Sequence, residues 1–518
     1  MAATEAPSNE EVYKVPLKVL VDRNENKVLF AEAKKDFVDV LVSFLALPLG
    51  TITRLVGKES NIPPLKIGSL SSLYEGVSHL EEEHLWTQKC KEMLLHPRTS
   101  MESYCQPLKL NIDDTHPTEY FLCEDLGCSR KTNGSLLSIF SNQRCSCGKL
   151  MNRIVSPENI TLENGFVKET ASFIICDDLS VLPNVLVTNV NLLQKLGIRD
   201  MDAIEEQTLD ISKREVVDLL KLSFISKNPL TDFVFKKEPR VDDFNPMNQS
   251  WLDRGDESSD ESKGRKIVVR ALVRKSNAKI VLVDGEEDFA DFLFSFLTLP
   301  LGRVLHMLEG SSSLSSIDKL SKSISELSPD RYLRSHRVKV ELANPKCASL
   351  FSVSDQILPI GEVSLPVYYC NTFFDGREYR FSLSTSARPR SYGYDENARL
   401  EIMNPKSCIG DSRSCKGFVK GPSTFMVTDD LVVTPMSSIS TISYLNRLKI
   451  PLSDLEERVI SVGVKEGLAI LKASLTSTSA LTQAYITLVA LCGAAKSSVC
   501  CVNEHYHEFT AHLWLHFP

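Results

Sequence analysis

The alternation of apolar and polar residues predicts a β-hairpin near the start of the chain. Residues 17–22 (LKVLVD) and 27–33 (KVLFAEA) are two strand-like runs, and the turn-like sequence Arg-Asn-Glu-Asn separates them. Short runs on either side of such a turn are typical of two antiparallel strands. The pattern returns at residues 268–273 and 279–285, so we expect a second hairpin there.

An amphipathic helix is expected after each hairpin, because apolar residues recur there with helical spacing. The stripe consists of Phe37, Leu41, Phe44 and Leu45 in the first helix and of Phe289, Leu293, Phe296 and Leu297 in the second. In the first helix we expect Asp36 to act as the N-cap and Asp39 to lie favourably at the positive end of the helix dipole. Pro48 and Gly50 are expected to stop or kink it.

These matches belong to a tandem duplication within the chain, at an offset of 252 residues. Residues 36–50 (DFVDVLVSFLALPLG) return at 288–302 (DFADFLFSFLTLPLG), with 11 of 15 positions identical. Two shorter matches have the same offset: GFVK at 165 and 417, and Asp-Asp-Leu at 177 and 429. A repeat of roughly 240 residues has the size of a domain. We therefore expect two homologous tandem domains, a first copy at residues 15–237 and a second copy at residues 267–487.

The remaining segments have no counterpart in the other copy. Residues 1–14 are polar and are expected to be a disordered N-terminus,. Residues 238–266 are acidic and lack periodicity, which is typical of a linker,. Residues 488–518 form an atypical tail outside the duplicated unit.

The later part of each copy predicts the fold class. Strand-like runs at residues 171–179 and 423–431 are followed by helical patterns, two of which close the copies at 214–224 and 465–475. Strands and helices alternate without a strict βαβ rhythm, which favours an α+β fold. Each copy is expected to be a β-hairpin followed by helices and further short strands.

Composition narrows the function classes. The net charge of −8 disfavours nucleic acid as the main partner, because duplex binding normally needs a basic surface,. We see no secretory signal and no membrane-spanning stretch, so a cytoplasmic or nuclear location is expected,. The 14 cysteines are then expected to be reduced, as core residues, metal ligands or reactive thiols,.

Four cysteines of the first copy have the spacing of a zinc site. Cys123 and Cys128 form C-x4-C, sixteen residues follow, and Cys145 and Cys147 form C-x-C before Gly148. Zinc prefers four soft ligands in a tetrahedron, and a four-cysteine site is structural because it leaves no position for water. The alternative is that they are unrelated core thiols.

The second copy lacks these ligands. At the offset of 252 the four positions hold Asp375, Arg380, Asn397 and Arg399. Cys370 matches Cys123 only if a small gap is allowed, and it would then stand alone.

Two pairs of adjacent acids are weaker candidates. Asp177-Asp178 and Asp429-Asp430 each follow a strand-like run. Such carboxylates can bind a hard cation or act in acid–base chemistry. The interpretation that we favour is that they cap a following turn or helix.

Several motifs together resemble a plant family of domains of unknown function, the one numbered 674. They are the opening LKVLVDRNENKVLFAEAKKDFVDVLVSFLALPLG, the sequence CGKLM after Ser146, the DDL strand end and the closing LKASLTSTSALT, and they span residues 15–487. The resemblance implies a plant source, a duplicated chain and no established activity, and it names no catalytic residue that could be transferred to this chain. The usual second cysteine motif of the family is C-P-x-C, whereas Cys145-Ser146-Cys147 is one residue shorter.

We expect a non-catalytic intracellular interaction or regulatory protein that binds a protein partner and carries a structural zinc ion in its first copy. No nucleophile–base set is repeated, and the oligomeric state stays open. One alternative is an enzyme or small-ligand binder with a pocket between the copies that uses the Asp-Asp pairs. Another is weak nucleic-acid binding through the cysteine motifs, with help from nearby basic residues. These are Arg130, Lys131, Arg144, Lys149 and Arg153.

Overall fold

The computed structural model describes most of the two copies and the start of the chain's last segment. The described residues are 13–129, 135–157, 164–197, 202–237, 265–354, 356–360, 365–374, 379–385, 395–407 and 417–494. Nearly all of the predicted N-terminal segment and of the predicted linker, and most of the predicted tail, lie outside these residues.

The chain is α+β, as predicted. The strands of the first copy are β1 (Val15–Asp22), β2 (Lys27–Lys34), β3 (Tyr120–Cys123), β4 (Ser135–Leu137), β5 (Gln143–Arg144), β6 (Leu150–Pro157), β7 (Ser172–Cys176), β8 (Val181–Pro183) and β9 (Ile204–Ile211). The strands of the second copy are β10 (Ile267–Arg274), β11 (Lys279–Glu286), β12 (Tyr368–Phe374), β13 (Tyr379–Ser384), β14 (Asp395–Ile402), β15 (Thr424–Thr428), β16 (Val433–Pro435) and β17 (Leu455–Val462).

Helices connect these strands in both copies. The helices of the first copy are α1 (Lys35–Ser43), α2 (Leu49–Val56), α3 (Leu70–His79), α4 (Gln88–Leu95), α5 (Glu102–Cys105), α6 (Leu126–Ser129), α7 (Leu186–Lys195), α8 (Lys213–Ile225) and α9 (Pro229–Val234). Those that follow β10 are α10 (Glu287–Thr298), α11 (Leu301–Met307), α12 (Ser315–Glu326), α13 (His336–Ala343), α14 (Ser438–Leu448), α15 (Val464–Thr476) and α16 (Ala480–Ala494). No helix in the described ranges is long and apolar enough to cross a lipid bilayer.

Each copy builds one five-stranded antiparallel sheet with the same strand order. The order is β8-β7-β2-β1-β9 in the first copy and β16-β15-β11-β10-β17 in the second. Both predicted hairpins are present, as β1–β2 and β10–β11. Buried and exposed residues alternate along β1 and β10, which explains why the sequence pattern predicted the hairpins.

The third sheet combines strands of both copies. Its order is β3-β6-β13-β12-β14-β4, with β5 paired to β6. The two contacts between the copies, β6 with β13 and β4 with β14, are parallel. The amides of Phe121 and Ser138 each donate to the other's carbonyl, at 2.8 and 2.9 Å, and so join the β4 end of the path to β3. The six strands therefore close into a small barrel that neither copy builds alone.

One side chain from each barrel strand fills the interior. The cluster consists of Leu122, Leu137, Val155, Cys370, Leu383 and Leu400. Outside it, the hydroxyls of Tyr120 and Tyr368 lie 2.9 Å apart. Leu122 on β3 and Cys370 on β12 occupy matching places in this interior and are 248 positions apart, so these two strands correspond at an offset of 248.

The repeated Leu-Pro-Leu-Gly sequence joins the copies. Leu49 donates its amide to the carbonyl of Leu299, and Leu301 donates its amide to the carbonyl of Leu47, both at 2.9 Å. A Cβ on Gly50 would lie 3.0 Å from the carbonyl oxygen of Leu297, at the same contact. Glycine is needed here because two backbones approach closely.

Two sequence predictions about the first helix are wrong. Asp36 is not its N-cap, because the helix begins at Lys35 without any side-chain cap; Asp36 instead pairs with Lys109 at 2.6 Å. Gly50 does not end a helix, because it lies in α2, which follows Pro48.

Two further backbone pairings join the copies. Leu85 of the first copy pairs with Val419 of the second, and Leu333 of the second pairs with Val167 of the first. Each copy therefore completes the surroundings of the other copy's Phe-Val loop, the segment that contains Phe166-Val167 or Phe418-Val419.

Candidate metal centre

The structure brings the four cysteines of the first copy together beside the barrel. Cys123 is the last residue of β3, and Cys128 lies in the short helix α6 that follows. Cys145 and Cys147 lie in the turn between β5 and β6. The pairing of β3 and β5 with the same strand, β6, places the two cysteine motifs side by side.

The distances suit a tetrahedral metal ion. All four sulfur atoms lie within 4.8 Å of one another, and the sulfurs of Cys123 and Cys147 are 3.5 Å apart. Four thiolates around zinc would be about 3.8 Å apart, given zinc–sulfur bonds of about 2.3 Å. The cluster therefore needs only small side-chain adjustments to hold the ion.

The local backbone holds the short second motif in place. The amide of Cys145 donates to the carbonyl of Lys149, and the amide of Gly148 donates to the carbonyl of Cys145, both at 2.8 Å. Gly148 has a φ of 87°, which favours glycine. This tight turn explains how a C-x-C motif presents both sulfurs to one point.

The first motif is held by a similar device. Asp125 accepts the amides of Gly127 at 2.7 Å and of Cys128 at 3.3 Å. Its other carboxylate oxygen lies 2.8 Å from the ammonium of Lys149. A single ion pair thus links the loops that carry the two motifs.

The thiols differ in their ease of ionisation. A hydrogen bond from the Lys149 amide lowers the pKa of the exposed Cys147 thiol to about 7. Burial raises the pKa of the Cys123 thiol to about 12. Thiolates are the form that binds zinc, so metal binding would release protons from these thiols.

In the second copy, the proposed match for Cys123 is wrong. Cys370 lies inside the barrel with Leu122, and the offset of 248 makes these two residues equivalent. The position equivalent to Cys123 is Asn371 on β12. Of the four positions compared in the sequence, Asp375 lies outside the described residues.

The Asp-Asp pairs have matching roles in the two copies. Asp177 accepts the amide and the hydroxyl of Thr231 in the first turn of α9, both at 2.8 Å. Asp429 accepts the same two groups of Thr482 in α16, at 2.8 and 2.9 Å. These contacts satisfy helix N-terminal amides, which supports the capping interpretation.

The second acid of each pair also has a side-chain partner. Asp178 pairs with Lys319 of the second copy at 2.9 Å, and Asp430 accepts the hydroxyl of Thr428 at 2.5 Å. The two pairs lie at the ends of different sheets.

A family model described as "Protein of unknown function (DUF674)" matches residues 11–465. The chain belongs to the DUF674 family. The match covers both hairpins, the barrel and the cysteine cluster. It confirms the family that the sequence motifs indicated. No curated protein and no solved structure matches the chain.

A cavity between the two copies exists in this DUF674 chain, but the Asp-Asp pairs do not form it. It measures about 510 Å³, and its lining includes Arg98 and Tyr120 of the first copy and Arg337 and Tyr368 of the second. None of the four paired aspartates lines it among the described residues. This cavity therefore does not support the pocket that the sequence suggested.

The basic residues near the cysteines are engaged locally where the structure describes them. Lys149 pairs with Asp125. Arg153 donates to the carbonyl of Glu124 at 2.9 Å and lies over the ring of Phe381. Arg130 and Lys131 lie outside the described residues. No observation of the described side chains favours nucleic-acid binding.

Sequence reasoning missed the role of one buried acid in each copy. Asp39 accepts the amides of Phe166 and Val167, at 2.7 and 2.9 Å. Asp291 accepts those of Phe418 and Val419 at 2.7 and 3.0 Å. The recurrence of both Asp and the GFVK sequence at the same offset was the available signal.

Proposed function

We propose that the protein is a non-catalytic interaction protein whose first copy is held together by a structural zinc ion. The observation that carries the metal assignment is the convergence of four cysteine sulfurs within 4.8 Å. Four thiolates complete a tetrahedron and leave no open position, so the ion would stabilise the fold rather than activate water.

The zinc ion would fix one side of the shared barrel. Its ligands come from β3, α6 and the turn before β6, and β6 pairs with β13 of the second copy. Phe121 and Met151 pack around the buried Cys123 and Cys145. Loss of the ion should therefore loosen the β5–β6 turn and, through β6, the contact between the copies.

Substitution of Co²⁺ tests the coordination. The full chain loaded with Co²⁺ should show the visible absorption of a tetrahedral four-thiolate complex. Cys147→Ser should abolish that spectrum, since it removes one ligand from an exposed position. Cys176→Ser, which changes a half-buried cysteine outside the cluster, should preserve it. An octahedral spectrum, or the same spectrum in both variants, would contradict the assignment.

Support for an interaction role comes from one helix in each copy. Neither α7 nor α14 has a buried residue. Leu186 and Val187 on α7 are 79% and 67% exposed, and Ile439 and Ile442 on α14 are 78% and 61% exposed. Exposed apolar side chains that cluster on one element mark contact sites for other proteins.

Site-specific photo-crosslinking tests this role. A photoreactive residue in place of Val187 should give a discrete protein adduct in an extract of cells that express the chain. The same residue in place of Glu326, an exposed position on another helix, is the control. Equal labelling from both positions, or no adduct from Val187, would count against a partner at α7.

A further inference from the structure

The second copy contains a cavity of about 310 Å³ at the start of α10. Trp86 of the first copy and Phe292 and Ile357 of the second form apolar walls, and Glu287 and Asp291 contribute acids. Its volume is at the lower end for a small-molecule site. The cavity is distinct from the Asp-Asp pairs and from the cysteine cluster.

The equivalent site of the first copy shows which chemistry this position accepts. There the ammonium of Lys35 contacts the Oδ2 atom of Asp39, and the two side chains are 5% and 0% exposed. The other oxygen, Oδ1, accepts the amides of Phe166 and Val167. The site thus holds a buried ammonium ion against a carboxylate that the loop orients.

The second copy keeps the carboxylate and lacks the ammonium. Asp291, which is 7% exposed, accepts the amides of Phe418 and Val419 on Oδ1, as Asp39 does in the first copy. The residue equivalent to Lys35 is Glu287. Within the described part of the chain, Oδ2 of Asp291 has no hydrogen-bond or ion-pair partner.

Other substitutions enlarge the site and remove positive charge. In the first copy the ring of Tyr104 stacks on Phe166 with centroids 5.6 Å apart, and Lys109 pairs with Asp36. Leu85 and Leu333 make equivalent pairings and are 248 positions apart, and at this offset Tyr104 and Lys109 become Ser352 and Ile357. A lysine and a tyrosine that fill and neutralise the first site are therefore replaced by smaller or uncharged residues.

The cations near the cavity do not replace the lost lysine. Arg265 lies 3.7 Å from Asp288. Lys406 donates to the carbonyl of Ser352 at 2.6 Å and lies over the ring of Phe418. Burial raises the pKa of Asp291 to about 7 despite the opposing effects of the Phe418 and Val419 amides and of Lys406. This buried carboxyl group is thus short of positive charge.

We propose that this cavity binds a small molecule that carries a protonated amine on an apolar body. The ammonium would take the place that Lys35 occupies in the first copy, between Asp291 and Glu287. The apolar body would lie against Trp86 and Phe292, and an indole ring adds cation–π attraction to a nearby ammonium. The opposite charge of the carboxylates gives selectivity over neutral molecules of the same shape.

Calorimetric titration of the full chain with benzylamine at pH 7 tests the proposal, with benzyl alcohol as the neutral isostere. Benzylamine should bind and benzyl alcohol should bind at least about tenfold more weakly, because a hydrogen-bonded charge pair is worth more than 1.4 kcal/mol. Glu287→Lys should weaken benzylamine binding by a similar factor or more, since it restores the tethered ammonium of the first copy.

Glu326→Lys is the matched control, because it makes the same charge change at an exposed position outside the cavity. It should bind benzylamine as the unmodified chain does. Asp291→Asn provides a second variant that keeps the side-chain shape, and it should also weaken binding. Absence of benzylamine binding, equal binding of the alcohol, or unchanged binding in both cavity variants would overturn the proposal.

Discussion

The two copies of this chain share a backbone plan and differ in the chemistry of their buried sites. In the first copy, Lys35 and Asp39 form a buried ion pair, and four cysteine sulfurs meet beside the barrel. In the second copy, Glu287 and Asp291 face a cavity, and its barrel cysteine, Cys370, is a core residue. The comparison separates what the fold requires from what each copy adds.

The shared features are structural. A buried aspartate orients the Phe-Val loop in both copies. A second aspartate caps the last described helix of each copy. The repeated Leu-Pro-Leu-Gly sequences bind each other. Features that occur in one copy alone, the cysteine cluster and the acidic cavity, are where we place function.

Removal of the equivalent negative charge from each copy, at Asp39 and at Asp291, tests this comparison most strongly. Asp39→Asn should lower the free energy of unfolding by about 3–5 kcal/mol, because it leaves the Lys35 ammonium buried without a counter-charge. Asp291→Asn should not lower the free energy of unfolding at pH 7, because the amide oxygen still accepts the loop amides, no buried cation loses its partner, and the variant has no buried carboxyl group to ionise,. Urea denaturation of the full chain measures both.

An equal loss in the two variants would show that Lys35 does not distinguish the sites. The double variant Lys35→Met with Asp39→Asn is the control, since it removes the ion pair as a unit. It should recover part of the stability that Asp39→Asn loses.

The pH dependence of stability should also differ between the unmodified chain and Asp291→Asn. The folded state raises the pKa of Asp291 to about 7, whereas an unfolded aspartate releases its proton near pH 4. Between these values the folded state binds more protons, so stability should fall as pH rises from about 4 to about 7. The size of this fall is on the order of 4 kcal/mol.

Asp291→Asn should lose that part of the pH dependence. Burial also raises the pKa of Asp318, to about 6, but this residue is present in both proteins and cancels in the difference. Parallel stability–pH curves for the two proteins would contradict the account of Asp291.

Substitution of the glycine in either Leu-Pro-Leu-Gly sequence should destabilise the chain to a similar extent. Gly50→Ala and Gly302→Ala should each cost about 1–3 kcal/mol, the usual range for overpacking. An added Cβ would lie 3.0 Å from the carbonyl oxygen of Leu297 in one case and of Leu45 in the other. Thermal unfolding of both variants measures the cost, and a large effect in only one would show that the contact is not symmetric.

The smallest expected effect concerns the helix-capping aspartates. Asp177→Ala and Asp429→Ala should each cost about 0.5–2 kcal/mol, as loss of a helix cap usually does. Asp178→Ala tests the neighbouring acid, whose surface ion pair with Lys319 should contribute about 1 kcal/mol or less. If the capping variants kept their stability but lost a binding activity of the chain, these aspartates would instead have a functional role.

Local patterns made part of the fold predictable. The hairpins, the apolar stripe after each hairpin and the helices α8 and α15 depend on residues that are near one another in sequence. The spacing of Cys123, Cys128, Cys145 and Cys147 likewise indicated a cluster, and the structure brings these residues together.

The barrel was not predictable in this way. Its parallel contacts join Ser156 with Ser382 and Ser135 with Leu400, and no local pattern reports pairing across more than 200 residues. The helical period placed Asp39 in the first helix, but it does not tell an exposed acid from a buried one that binds Phe166 and Val167. The sequence could not predict that Trp86 of the first copy lines the cavity of the second copy, for the same reason.

The zinc content of the purified full chain tests the central claim most directly. The full chain is the right sample, because a fragment of the first copy would leave β4 and β6 without their partners. Elemental analysis should find one zinc ion per chain in the unmodified protein and in Cys176→Ser, and none in Cys147→Ser. A zinc content near zero in the unmodified protein, or an unchanged content in Cys147→Ser, would contradict the account.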